Sequence, residues 1–355
     1  MKLLHHILKL QLCYFGILFF CAISCTCQNK KNVQIKLSKP SVILSNGKHN
    51  AFPSIEKSKK NRLLIGYRSS DSHLSANAKA CLIYSDDWGQ NWSQENVIDN
   101  GADFQNSKYG IRNLHITQLR KTLIATFHVN DGDHGDIYYF LSKNQGDNWS
   151  KREKLFFENF NRNKISCEGH IQEYGKQKVL PVFYGNENKS LDVGVAISKN
   201  FDSWEVFTVP SQNSKEAENI LVKAGSDLLM FYSNPSKSKL FRTLSKDKGK
   251  TWAFPEEVTF PGWIVHRPNV FYHKKSGTLL LVYREGKAQS GALAISNDKG
   301  KTWNKIKSIN DDKRRITYGD FVKIDENRIG FVYSTEDKLN GHIANLYYSE
   351  INFFY

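Results

Sequence analysis

The chain has 355 residues, 24% of them charged, and a formal net charge of +15. That surplus draws anionic partners over long range. The basic residues recur in small groups such as Lys57, Lys59 and Lys60, or Lys313, Arg314 and Arg315, rather than on one helix, so the pattern argues against a dedicated nucleic-acid surface. Six cysteines in this length exclude a disulfide-built scaffold, and no spacing of Cys, His, Asp and Glu forms a metal motif; neither metal nor cofactor is implied.

The chain opens on a leader. Lys2 and Lys9 precede or flank an apolar run, Leu10 to Ile23, which ends in Ala22-Ile23-Ser24-Cys25. Residues 1–27 therefore read as a secretory signal, too short for a stable membrane span. Ala-Ile-Ser-Cys also resembles a bacterial lipobox, which would leave Cys25 lipidated, residues 28–40 as a polar tether and 41–355 as the folded body. The alternative is ordinary cleavage near Cys27. Both imply export, to the cell envelope or beyond, and export is a second reason to exclude nucleic acid. Cys81 and Cys167 read as isolated buried thiols.

Strand pairs then repeat six times. The first strands begin Phe52-Pro-Ser-Ile55, Asn113-Leu-His-Ile116, Glu168-Gly-His-Ile171, Ala217-Glu-Asn-Ile220, Arg267-Pro-Asn-Val270 and Tyr318-Gly-Asp-Phe321. Their partners end at Arg68, His128, Tyr184, Ser233, Arg284 and Ser334. A third strand runs into an eight-residue motif in four cases, beginning at Ser85, Ser142, Ser245 and Ser296 and ending at Trp92, Trp149, Trp252 and Trp303; a decayed copy spans Ser198 to Trp204. In this motif Asp or Asn caps its own turn, Gly supplies positive φ, and Trp folds back over the hairpin. Such repeats predict an all-β, six-bladed propeller, closed by an N-terminal strand from around Val33 to Leu44 pairing with the last blade.

Ser-x-Asp-x-Gly-x-x-Trp resembles the Asp box of sialidases and related propellers. The resemblance implies a glycan-handling pocket where strand starts and partner ends meet at one mouth of the axial channel. It implies Tyr318 as nucleophile, a Glu opening the fourth blade as its base, and an Asp after the first blade's second strand as acid. Glu216 and Glu218 each lie one residue off the base position, and a bulge would correct either; Glu218 is preferred and Glu168 is a rival. Asp71 is the acid. Sialidases also clamp the sugar carboxylate with three arginines. Ala51 and Ser233 occupy two of those places, which leaves Arg68, Arg267 and Arg284, with Arg112 as a replacement, to hold an anionic group. His128 is a further binding candidate, and His115 and His170, deeper in their strands, read as ties between blades. An exo-α-sialidase-like hydrolase is the leading expectation. A hydrolase or lyase acting on another acidic polysaccharide through His128, His73 and Tyr184 is the second, and a non-catalytic glycan binder the third.

Overall fold

The computed structural model describes residues 33–355 apart from 132–133, 159, 186–190, 211–216, 235–238, 259–267, 286–289, 310–313 and 338–341. The leader with Cys25, and Arg267, lie outside the described residues. The rest of the chain is β-structure; the one helical element among the described residues is a 3-10 turn at Ala102–Phe104. No helix among them is long and apolar enough to cross a membrane.

Among the described residues, hydrogen bonding gathers the strands into five sheets: three of four strands, one of six and one of nine. In the three four-stranded sheets consecutive strands pair antiparallel, as meanders; the six-stranded sheet adds one parallel edge pair, Phe157 with Trp204. Burial falls from inside to outside. Leu63–Ser70 and Thr278–Glu285 are buried along almost their whole length, whereas Asn304–Ser308 and Glu256–Glu257 are largely exposed. Second strands are covered on both faces by neighbouring sheets, and the short charged outer strands resist edge-to-edge pairing. The core accordingly sits between sheets. One cluster sets Ile220, Leu229 and Phe231 against Leu279, Leu281 and Tyr283.

First strands converge on a cavity of about 360 Å³ lined by Ile55, Thr117, Gln172, Leu221, Val270 and Phe321, each from a different segment. This convergence makes the arrangement propeller-like. In the nine-stranded sheet, Ala344–Phe354 meets His49–Lys57 through a single parallel pair, Ala344 with His49. That isolated contact joins two meanders rather than extending one.

The Asp boxes close the outer hairpins as the motif chemistry predicts. Ser245 Oγ accepts from Gly249 N at 2.8 Å, Asp247 Oδ1 accepts from Thr251 N at 2.9 Å, and Trp252 Nε1 donates to Gly249 O at 2.9 Å. Backbone and side-chain donation from Asn91 holds the Asp87 carboxyl at about 2. Gly300, at φ +83°, could carry no Cβ, because one would lie 2.4 Å from the Phe231 ring of the neighbouring sheet. These boxes are staples that also wedge adjacent sheets.

The N-terminal strands close the ring. Gln34–Leu37 and Ser41–Leu44 both pair antiparallel with the last strand, in register Gln34 with Phe354 and Ser41 with Tyr348. Gln34–Leu37, within the stretch expected as a tether, are sheet, because the last strand offers them an open edge. Gln34–Phe354 forms one compact unit. Cys81 and Cys167 are buried free thiols, and burial pushes both upward.

Candidate active site

The starts of the first strands share a backbone device. In three of them the register against the second strand slips, between Ala51 and Ser54, Arg112 and His115, and Ala217 and Ile220. At each slip a non-glycine residue adopts positive φ: Phe52 at 59°, Asn113 at 52° and Glu218 at 59°. Gly169 takes the place in another strand at 81°. Left-handed backbone at bulky residues is costly and concentrates at functional positions. The bulge brings Glu218 into the position of Phe52 and Asn113 despite its one-residue offset in sequence. Ser233 Oγ donates to Glu218 Oε2 at 3.2 Å. Glu216 lies outside the described residues.

Tyr318 also stands beside a register slip, between Ile316 and Tyr318. Its side chain is 8% exposed, and its ring meets Phe52 edge-on with centroids 4.4 Å apart. Ala51 and Ala344 complete this small apolar cluster. Phe52 is the plate on which the mouth is assembled. Arg112 lies over it at 5.1 Å, the His73 ring is 5.4 Å away, and that of His49 6.2 Å. Asp71 is exposed on the loop after Leu63–Ser70 and accepts from Asn77 Nδ2 at 3.0 Å. Glu168 is buried in the break between Ile165–Cys167 and Gln172–Tyr174.

The ring of partner ends works differently from the expectation. Arg68 is fully buried, and its guanidinium donates to Ile111 O, Ser70 Oγ, Ser72 O, Ser75 O and Tyr109 O. Burial, then repulsion from Arg112, brings it down to about 9. With its fork on protein acceptors, Arg68 ties the segment from Ser70 to Ser75 to the start of the next blade. His128 Nδ1 lies 3.1 Å from Cys167 O, and Arg284 Nε donates to Ile316 O at 2.7 Å. Arg68, His128 and Arg284 thus repeat one contact, each reaching the main chain where the next first strand begins. His128 and Arg284 are interblade clasps through these atoms. Tyr184 bonds Thr208 Oγ1 at 2.5 Å.

Three residues at the mouth escaped the sequence pattern. Glu336 is fully buried; its Oε1 lies 3.1 Å from His49 Nε2 and 3.3 Å from His73 Nδ1, and its Oε2 accepts from Arg315 Nε at 2.8 Å. Burial would raise this carboxyl, but the two histidines and Arg315 hold it far below the usual range. A signal existed: Glu336 lies two residues past Ser334, on the same strand face, and Arg315 belongs to the basic run at 313–315.

Two residues below the mouth lies a second polar site. Asp320 accepts from Ile55 N, His170 Nε2, Asn269 Nδ2 and Phe321 N, all within 2.9 Å. His170 Nδ1 lies 2.6 Å from Ile116 O. Both ring nitrogens face acceptors, so both carry hydrogen and the ring is an imidazolium. Burial opposes that charge, yet Asp320 raises His170 to about 9. His170 is therefore the expected tie between blades. Asp320, His170 and Asn269 also line the axial cavity, whose lining includes none of Tyr318, Glu218 and Asp71.

The BNR repeat-like domain family matches residues 78–335. No curated protein sequence matches the chain significantly. Among solved structures, a protein of unknown function from Dyadobacter fermentans gives a TM-score of 0.76 at 17% identity, over 90% of this chain and 99% of that one. The NanB sialidase of Streptococcus pneumoniae gives 0.71 at 12%, over 89% and 71%. The Trypanosoma rangeli sialidase, solved in complex with sialic acid, gives 0.68 at 11%, over 90% and 59%. This chain thus spans about three fifths of the trypanosomal enzyme. At such identities the likeness to these sialidases is one of fold alone; the family match, over most of the chain, shows that the protein belongs to the BNR repeat-like domain family.

Proposed function

We propose that this protein is an exported glycoside hydrolase of exo-α-sialidase type that removes terminal sialic acid or a related anionic sugar from glycans. Its ring has six blades, the nine-stranded sheet counting as two joined at the Ala344–His49 pair. Tyr318 attacks the anomeric carbon while Asp71 protonates the departing oxygen, and Glu218 accepts the phenolic proton. Water then cleaves the glycosyl-tyrosine with the proton movements reversed. Arg112, Arg267 and Arg284 supply positive charge around the sugar carboxylate. The observation that carries this reading is the bulge at Glu218, which offers a carboxylate from strained backbone at the strand start matching that of Tyr318. Release of sialic acid from a fluorogenic α-sialoside, lost in Tyr318→Phe, tests it. Export would proceed through residues 1–27, with lipid on Cys25; mass spectrometry of the mature N-terminus distinguishes a lipidated Cys25 from a free terminus.

A second reading has an observation of its own. Ala51 is buried beside Tyr318, Ser233 is bonded to Glu218, and the Arg68 fork is occupied, so the three-arginine clamp is not rebuilt from those positions. This favours another acidic glycan, cleaved by hydrolysis or by elimination. New absorbance from unsaturated uronates, without sialoside turnover, would select the lyase. Binding with no turnover on a broad glycan panel would select a non-catalytic glycan-binding protein.

A further inference from the structure

We propose that His49, His73 and Glu336 form a divalent-cation site of zinc type at the channel mouth, with its fourth position directed to an anionic ligand. The three come from separate segments: the first residue of His49–Lys57, the loop after Leu63–Ser70, and the end of Arg328–Asp337. One ligand atom from each lies within 4.8 Å of the others. Zinc binds nitrogen and oxygen at about 2.0–2.1 Å, and tetrahedral geometry then sets ligand atoms about 3.3 Å apart. Glu336 Oε1 already lies 3.1 Å from His49 Nε2 and 3.3 Å from His73 Nδ1. Two edges of a coordination tetrahedron are thus in place. Two imidazoles with one carboxylate suit zinc and its transition-metal neighbours rather than calcium or magnesium, which prefer oxygen.

The surroundings fit the role. Arg315 takes Glu336 Oε2 through Nε and Nη2, both at 2.8 Å. That fixes the carboxylate so that Oε1 alone turns to the ion, as a supporting shell does in built metal sites. His49 and Glu336 side chains are fully buried and that of His73 is 25% exposed, so the ion enters, and its fourth position opens, on the loop side. Phe52 borders both this cluster and Tyr318, with ring centroids 5.4 Å from His73 and 4.4 Å from Tyr318.

The placement gives the ion a task. Ala51, two residues after His49, stands where the resemblance to sialidases calls for an arginine. A dication on two neutral imidazoles and one carboxylate leaves a net positive charge and an open coordination position beside that gap. The fourth position takes the carboxylate of the acidic sugar; this part rests on the proposed function, whereas the metal site does not.

Cobalt(II) tests both parts. The full mature protein, stripped with chelator, is titrated with cobalt(II) and followed by visible absorption. One equivalent should bind with the intense d–d bands of a four-coordinate site, and zinc should displace it. His73→Ala, a loop change that leaves the strands intact, should abolish the bands and weaken uptake by roughly a hundredfold or more. Arg315→Met should weaken uptake by about tenfold. No stoichiometric uptake by the unaltered protein, or equal uptake by His73→Ala, overturns the site. Sialic acid added to the cobalt form should shift the bands; unchanged bands, or sialoside hydrolysis with unchanged KM after metal removal, overturn the anion role. Cobalt uptake with no hydrolysis of any glycan overturns the proposed activity and leaves the metal site standing.

Discussion

Tyr318 and Asp320 are two residues apart on one strand, face the same axis, and belong to opposite kinds of site. Around Asp320 the contacts are hydrogen bonds reaching in from distant segments: Ile55 N, His170 Nε2 and Asn269 Nδ2 converge on one carboxylate. Around Tyr318 the contacts are ring faces, bulged backbone at positive φ and cations stacked on Phe52. The period of a strand puts residues i and i+2 on the same face, which sets Tyr318 with Asp320; in the other first strands the upper residue sits at a bulge, as Phe52 and Asn113 do before Ser54 and His115. Saturated polar groups hold a structure together; strained and stacked ones are available to a ligand.

That contrast breaks most sharply at Tyr318. Tyr318→Phe should lower kcat on an α-sialoside by roughly 10³–10⁶-fold while the melting temperature hardly moves. A fall in melting temperature with kcat preserved would make the mouth a packing cluster. Glu218→Gln should cost roughly 10²–10⁴-fold in kcat as a lost proton acceptor, read by steady-state kinetics with KM nearly constant. At the lower level the sign of the effect reverses. Asp320→Asn takes from the His170 imidazolium the carboxylate it is hydrogen-bonded to and should cost about 3–5 kcal/mol of stability, measured by urea titration. Unchanged stability would remove the distinction between the levels.

The smallest effect sharpens it through pH. His170 is raised from 6.5 to about 9 in the folded protein. Its contribution is therefore complete below pH 6.5 and is lost as pH rises through about 9. Asp320 is lowered from 3.8, burial opposing and His170 prevailing, so its contribution holds above pH 3.8 and is lost as pH falls further. Denaturation midpoints measured from pH 6 to 10 should decline in the unaltered protein and lie flatter in His170→Gln. Parallel profiles would show that His170 carries no charge in the fold.

The levels also differ in how far the amino-acid sequence discloses them. Asp boxes are local: Ser245, Asp247, Gly249 and Trp252 meet within eight residues, so their chemistry is written in their spacing. The strand starts are legible because the repeat aligns them, and His170, deeper in its segment, is the tie between blades that this alignment implies. The surroundings of Arg68 were not legible, because most of its acceptors are main-chain carbonyls, which no side-chain pattern reveals. His49 and Glu336 are 287 residues apart and come together only when the ends of the chain meet. The bulge that brings Glu218 into line likewise depends on how two strands pair, and a single strand does not encode it.

The seam that brings them together also governs timing. Ser38 bonds Ser349 across 311 residues, and Gln34 pairs with Phe354. Contacts of that sequence separation carry the largest loop-closure entropy in the chain and form late. Until the final strand has been synthesised, the first meander lacks its neighbour and Glu336 cannot reach His49. A chain truncated before the final strand should therefore keep its Asp boxes and yet fail to bring Glu336 to His49.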